Sequence, residues 1–310
     1  KGIHGAILSY LSLKKENFYM VENTVDGKFF VTARGWEDLS EILKSYEELQ
    51  VEIGEELIGE FLQKEEIARD FAGYYRLYEK YKSDYQIQEI LDGNVTTGQL
   101  KTCCDMGKKA SFEERFTVTE MLLEAVTERI SVFQKTDEKI EKLYENLKLL
   151  KIFLQEKNSV EAMEQFVASR RKALDAKICS ELLTAEEAAR EEEQIRILEE
   201  YFFQLKELHI SDVAEGIEQI GERFGNVCRL RNEKLKETKK MLEQAFSFLE
   251  ECFGEGQELL LFETGLTGDD RCSIFISQYG CPSYFKHCEL LLYSKKENEM
   301  RKECRDLLEE

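Results

Sequence analysis

The sequence contains almost no proline and no long apolar run. A single proline among 310 residues leaves long helices free of its interruption. No apolar stretch approaches the roughly 18 residues of a membrane-spanning helix, and the apolar segment 3–13 is followed at once by Lys14, Lys15 and Glu16. The chain is therefore expected to be helical and cytoplasmic, with neither a secretory signal nor a membrane span.

Metal-binding and nucleophile motifs are also missing. None of the three histidines stands beside a serine or cysteine in a recognised catalytic motif, and the nine cysteines form no C-x-x-C pair. The nearest approach to a zinc site comprises Cys272, Cys281, His287 and Cys288. Because His287 and Cys288 are adjacent, they would point to different sides of a helix. We expect free, mostly buried thiols, as in most cytosolic proteins.

A phosphate-binding loop is absent as well. The P-loop sequence G-x-x-x-x-G-K-[ST] supplies backbone amides for phosphates, a lysine for their charge and a hydroxyl for Mg²⁺. The nearest match is Gly107-Lys108, but Thr102 stands in place of the first glycine and Lys109 in place of the hydroxyl residue. The chain by itself is therefore expected to bind neither ATP nor Mg²⁺ and to carry no catalytic residue.

Acidic residues outnumber basic ones by 63 to 43, which gives a net charge of −20. A surface of this sign repels nucleic acid and anionic membranes, so neither is an expected partner. Residues 181–215 concentrate the imbalance, with eleven acids against three bases. Their preferred interpretation is a solvated helix face, and the alternative is a docking site for a basic partner.

The first part of the chain contains one hairpin signal. Two β-prone runs flank the Asp-Gly pair at 26–27, which predicts a β-hairpin over residues 19–32. Thr32 is placed to cap the following helix, whose inner face begins with Trp36. Arg34 then lies in the first turn of that helix and points away from the inner face.

Later residues predict long helices. Apolar side chains recur at three- and four-residue steps, and capping boxes begin at Ser111 and Thr184. The predicted helices cover residues 112–157, 160–183, 184–209 and 212–250. The first and last resemble coiled-coil helices and need partners along their length. Beyond Gly254, residues 259–263 are strand-like, and Pro282 fits the first turn of a final helix.

Together these patterns predict a mainly α fold in three regions. The turn-rich stretch 92–98 marks one boundary, and the change in composition after residue 253 marks the other. Residues 1–98 form a helical domain with the β-hairpin, residues 99–253 an elongated bundle of long helices, and residues 254–310 a small α+β segment.

The segment 29–39, FFVTARGWEDL, resembles the start of the second-sensor helix in the lid of a MoxR-like AAA+ ATPase. In that family an arginine after an S/T-x-R element reaches the terminal phosphate of the nucleotide. The resemblance makes Arg34 the candidate sensor, with Thr32 and Trp36 as supporting residues. It extends over residues 1–91 as a whole. Residues 275–293 also look like C-terminal extensions of such bacterial ATPases, through a less specific match.

This resemblance implies an ATP-driven remodelling or assembly chaperone, commonly hexameric and often paired with a partner that has a von Willebrand factor A domain. It implies that the P-loop, the Mg²⁺-binding strand, the first sensor and the arginine finger precede Lys1, so that the chain is the non-catalytic part of a longer protein. ATP and Mg²⁺ then belong to the parent protein. The first alternative is a coiled-coil scaffold with no nucleotide link, and the second is an enzyme that uses one of the cysteines. For Arg34 itself the alternative is an ordinary surface arginine.

Overall fold

The computed structural model describes residues 2–24, 27–154 and 159–288. In this part of the chain the fold is mainly α with one two-stranded antiparallel sheet, which confirms the predicted fold class. The described residues divide into two compact units, one within residues 1–130 and 239–310, the other within residues 131–238. Both unit borders fall inside long helices, one within residues 112–154 and the other within residues 213–253.

The first unit begins with short elements. They are helix α1 (Gly5–Leu13), a short 3-10 helix (Lys15–Phe18), strands β1 (Met20–Thr24) and β2 (Gly27–Val31), and helices α2 (Ala33–Glu48), α3 (Glu55–Phe61), α4 (Glu65–Tyr85), α5 (Ile87–Asp92) and α6 (Thr97–Gly107). The remaining elements are α7 (Phe112–Leu154), α8 (Ser159–Cys179), α9 (Ala185–Glu207), α10 (Val213–Phe253), α11 (Gln257–Gly268), α12 (Asp270–Tyr279) and a helical stretch over 282–288. Within the described ranges, no helix is long and apolar enough to cross a membrane.

The hairpin forms within the predicted residues 19–32, although Gly27, expected between the two strands, belongs to β2 and pairs with Thr24. Strands β1 and β2 pair in a register that places Met20 opposite Val31 and Val21 opposite Phe30. Partners across an antiparallel pair share one face of the sheet, so Val31 lies on one face and Phe30 on the other. Val31 is fully buried, whereas Phe30 is 41% exposed. The turn residues 25 and 26 lie outside the described part of the chain.

Aromatic side chains form much of the core beside the hairpin. Tyr10 of α1, Trp36 of α2 and Phe71 of α4 are all buried, and the Trp36 and Phe71 rings meet edge to face with centroids 5.2 Å apart. Such contacts between aromatic rings stabilise a core beyond the burial of their area. They fix the inner face of α2 against α1 and α4.

The second unit has its own apolar core. Buried side chains from the second half of α7, from α8, α9 and the first half of α10 meet there, among them Leu143, Leu150, Phe166, Leu198 and Ile220. Ser159 at the start of α8 donates its hydroxyl to the carbonyl of Ile210 at 2.7 Å, which ties the start of α8 to the connection between α9 and α10.

Helix α9 carries most of the acidic segment. Five of the eleven acids in residues 181–215 form ion pairs with basic side chains of α7, α8 or α10, namely Glu191, Glu192, Glu193, Glu199 and Glu200. Exposed pairs of this kind contribute little free energy each. They do neutralise much of the helix's charge within the unit itself.

One predicted element is wrong. Residues 259–263, expected to form a strand and to give the C-terminal segment its α+β character, lie inside helix α11. Leu259, Phe262 and Leu266 are buried at three- and four-residue spacing, which is helical periodicity. A short apolar run does not distinguish a strand from a buried helix turn. Pro282 does begin a helical stretch, but the predicted continuation through residues 289–293 lies outside the described part.

The backbone conformation of Glu181, just after the end of α8, can be tested by mutation. Glu181 follows the C-terminus of α8 with φ +52°, a left-handed conformation that glycine adopts without strain. We expect Glu181→Gly to raise the free energy of unfolding by about 0.5–1 kcal/mol. Glu164→Gly, at an exposed interior position of the same helix, should lower it by about 1 kcal/mol. Urea unfolding followed by circular dichroism measures both changes, and changes of the same sign would contradict the assigned backbone conformation.

Candidate functional site

The predicted sensor residues lie together at the N-terminus of α2. Thr32 has extended backbone angles, φ −135° and ψ 160°, and its Oγ1 accepts a hydrogen bond from the backbone N–H of Gly35 at 3.2 Å. This geometry is that of an N-cap, so the predicted capping role of Thr32 is confirmed. The cap fixes where the helix begins and therefore where Arg34 leaves the backbone.

Trp36 anchors the same turn to the core. Its side chain is 2% exposed, and its Nε1 donates a hydrogen bond to the carbonyl of Asn17 at 3.3 Å. Its ring also lies against Tyr10, with centroids 5.8 Å apart. A side chain held on both its apolar and polar parts has little freedom, so the first turn of α2 is a rigid base for Arg34.

Arg34 itself projects into solvent, with its side chain 77% exposed. Its Nε donates to Asp38 Oδ2 at 3.0 Å, and its Nη2 lies 2.9 Å from Asp38 Oδ1, so the guanidinium meets the carboxylate through two nitrogens. Glu37 is farther away, with its Oε2 3.9 Å from Arg34 Nη1. An exposed pair one helical turn apart contributes about 0.3–0.5 kcal/mol. Asp38 therefore holds Arg34 only weakly.

Gly35 is a site residue that the sequence reasoning missed. A Cβ built on Gly35 would lie 2.7 Å from the carbonyl oxygen of Phe61, the last residue of α3. The first turn of α2 thus contacts the end of α3 at a distance that excludes any other side chain. A signal was present, since glycine inside a helix costs about 1 kcal/mol relative to alanine and often has a packing reason.

The hairpin is tied to the same neighbourhood. Lys64, in the connection between α3 and α4, forms an ion pair with Glu22 of β1. On the opposite face of the hairpin Val21 and Phe30 are paired, with exposed fractions of 52% and 41%. The end of α3 and the connection that follows it therefore contact both elements that lead to Arg34, α2 through Phe61 and the hairpin through Lys64.

The histidines have separate structural environments. His4 is buried, its Nδ1 accepts the backbone N–H of Ala6, and its Nε2 lies 2.9 Å from Glu47 Oε1. His287 is buried and pairs with Glu250. His209 follows the end of α9 with φ +55° and is exposed, so it does not lie on the apolar face of that helix. A left-handed residue after a helix end no longer follows the helical periodicity.

The cysteines do not favour nucleophilic chemistry. Eight of them are free, five of these eight are buried, and no disulfide is formed among these eight. Burial raises the pKa of the Cys252 thiol, and it raises the pKa values of Cys272 and Cys281 to about 12. Since the thiolate is the nucleophile, these buried thiols stay protonated and unreactive near neutral pH. In the part of the chain described, no three His, Cys, Asp or Glu residues are grouped to hold a metal ion.

The arrangement around Arg34 suits anion binding rather than proton transfer. A guanidinium stays charged at any physiological pH and offers several N–H donors in one plane, which matches phosphate oxygens. Comparison of the chain with protein-family models, with curated proteins and with solved structures found no match.

Proposed function

We propose that residues 1–98 form the nucleotide-responding lid of a MoxR-like AAA+ ATPase, with Arg34 as the sensor of the terminal phosphate. The observation that carries the proposal is the geometry of Arg34. Its guanidinium is largely exposed and weakly held, yet it projects from a turn fixed by the Thr32 cap and the buried Trp36. The same residues make up the segment whose sequence resembles the family's sensor helix.

In this function the lid supplies charge, and a separate ATPase core supplies the remaining chemistry. The core binds ATP and Mg²⁺, and the developing charge of phosphoryl transfer attracts the guanidinium. Because Arg34 lies on a rigid turn, its movement toward the phosphate carries the lid with it and couples hydrolysis to motion. The second unit then serves as the arm that contacts a client or a partner with a von Willebrand factor A domain, in a hexameric, cytoplasmic assembly.

The test uses the complete gene product that contains this chain. We expect Arg34→Ala to lower the turnover of ATP by about tenfold or more, because a charge used mainly in the transition state affects rate more than ground-state binding. Arg34→Lys should rescue poorly, since an ammonium lacks the planar fork. Measurements of kcat and of nucleotide affinity for each variant distinguish these effects.

Arg69→Ala is the matched control. Arg69 is also an exposed arginine of this unit, paired with Glu55 and with Glu65 one turn before it, and it lies on α4 rather than on the sensor turn. Its loss should leave turnover unchanged. Wild-type turnover in Arg34→Ala would make Arg34 an ordinary surface residue and remove the lid assignment. A complete protein that neither binds nor hydrolyses ATP would favour the coiled-coil scaffold instead.

A further inference from the structure

We infer that Gly35 and the end of α3 position Arg34, so that the distance between α2 and α3 sets where the guanidinium can reach. The inference about turnover rests on the proposed function, whereas its steric basis does not. Thr32 and Trp36 fix the start and the inner face of α2. Gly35 adds a third contact, with a different helix, immediately after Arg34 in the chain.

The contact is between backbones. The Cβ of any other residue at position 35 would lie 2.7 Å from the Phe61 carbonyl oxygen and 3.7 Å from its carbonyl carbon. A side-chain neighbour could rotate away, but a backbone oxygen moves only if its helix moves. Real Cβ atoms essentially never approach another heavy atom closer than 3.0 Å. Any residue other than glycine must therefore separate α2 from α3.

The end of α3 is not free to yield. Ile58 and Leu62, on either side of Phe61, are fully buried, and the backbone N–H of Leu62 donates to the carbonyl of Ile58 at 3.0 Å. Lys64 then joins the hairpin through Glu22. Because α3 is held in the core on one side and by the hairpin on the other, a substitution at Gly35 displaces the first turn of α2. That displacement moves the base of Arg34.

The backbone conformation at position 35 does not require a glycine. Its φ is outside the left-handed region that favours glycine, so alanine would fit the local conformation. At Gly59 of α3 and Gly73 of α4, a built Cβ would have no heavy atom within 4 Å apart from the chain neighbours and the adjacent backbone of its own helix, and both glycines lie inside helices as Gly35 does. At those two positions alanine should improve helix propensity. They are matched controls for the same chemical change without the contact.

The steric contact between Gly35 and the Phe61 carbonyl is tested on the 310-residue chain. We expect Gly35→Ala to lower the urea midpoint of unfolding, and Gly73→Ala to raise it or leave it unchanged. A midpoint for Gly35→Ala at or above that of Gly73→Ala would show that α2 and α3 are not in contact at this point, and would overturn the inference whatever the function of the protein.

The role of Gly35 in positioning Arg34 is tested on the complete gene product, under conditions where the variants are folded. We expect Gly35→Ala to lower kcat by about tenfold to a hundredfold, with a smaller change in KM, because a displacement of about 1 Å is enough to misplace a charge-stabilising group. In the Arg34→Ala background the same substitution should lower kcat no further. If Gly35 had a purely structural role, Gly35→Ala would instead lower kcat by the same factor in the wild-type and the Arg34→Ala backgrounds.

The kcat values of these variants distinguish a failure of the positioning role from a failure of the proposed function. Full kcat in Gly35→Ala beside an impaired Arg34→Ala overturns the positioning role and leaves the proposed function intact. Full kcat in Arg34→Ala overturns the proposed function, and the positioning role with it. If Gly35→Ala does not fold, Lys64→Met replaces it, since it breaks the pair with Glu22 and keeps the aliphatic stem. It should lower kcat only where Arg34 is present, and an equal loss in both backgrounds would overturn the inference.

Discussion

Replacing Leu150 with aspartate is expected to lower the free energy of unfolding of the second unit by about 4 kcal/mol or more. Leu150 is 1% exposed and belongs to the apolar core of residues 131–238. The substitution removes the burial of a leucine, leaves a cavity and places a carboxylate in an apolar core. Since small domains are stable by about 5–15 kcal/mol, a loss of this size approaches the whole stability of the unit.

Leu149→Asp is the matched control. Leu149 precedes Leu150 on α7 and is 43% exposed, so the same substitution changes charge and helix propensity without emptying the core. It should cost less than about 1 kcal/mol. Urea unfolding followed by circular dichroism reports the helices of both units, whereas the fluorescence of Trp36, the single tryptophan, reports the first unit. Equal midpoints for the two variants would show that α7 presents a different face to its core.

The sequence predicted those features of the fold that depend on neighbouring residues. The hairpin follows from the two β-prone runs beside Asp26-Gly27, although Gly27 itself pairs with Thr24 in the sheet. The start of α2 follows from Thr32, and the start of α9 from the box of Thr184 and Glu187. Each is decided within a few residues by backbone geometry or a capping hydrogen bond. The strand expected at 259–263 failed because its periodicity extends over too few residues to separate a strand from a helix.

Features that depend on distant residues were not predictable in the same way. Leu147 and Leu150 recur at a three-residue step of the apolar pattern of α7, yet Leu147 is only partly buried whereas Leu150 is fully buried. Which seam position faces the core depends on where α8, α9 and α10 pack, and periodicity alone does not give that.

In the candidate site, too, the features set by neighbouring residues were predictable and those set by distant residues were not. The position of Arg34 in the first turn of α2 and its exposure follow from the cap and from the inner face that begins at Trp36, so both were predictable. Its pairing with Asp38 was also open to prediction, since residues four apart are neighbours on a helix surface. The role of Gly35 was not, because its partner carbonyl on Phe61 belongs to another helix.

Trp36→Ala is expected to have the second large effect, a loss of about 3–5 kcal/mol from the stability of the first unit. The indole is 2% exposed, lies against Tyr10 and Phe71, and donates its N–H to the carbonyl of Asn17. Alanine removes the apolar burial and both ring contacts together, and leaves the Asn17 carbonyl without this donor. Helix α2 then loses the side chain that begins its inner face.

Trp36→Phe separates these contributions. Phenylalanine keeps a ring able to meet Phe71 edge to face but has no N–H for Asn17, so the loss should fall to about 1–2 kcal/mol. Circular dichroism during urea unfolding measures both variants, because the fluorescence of the single tryptophan is lost with the substitution. If Trp36→Ala unfolds at the wild-type urea concentration, the inner face of α2 is not part of the core. The first turn would then be a mobile support for Arg34, and a sensor that couples phosphate contact to lid movement requires a rigid one.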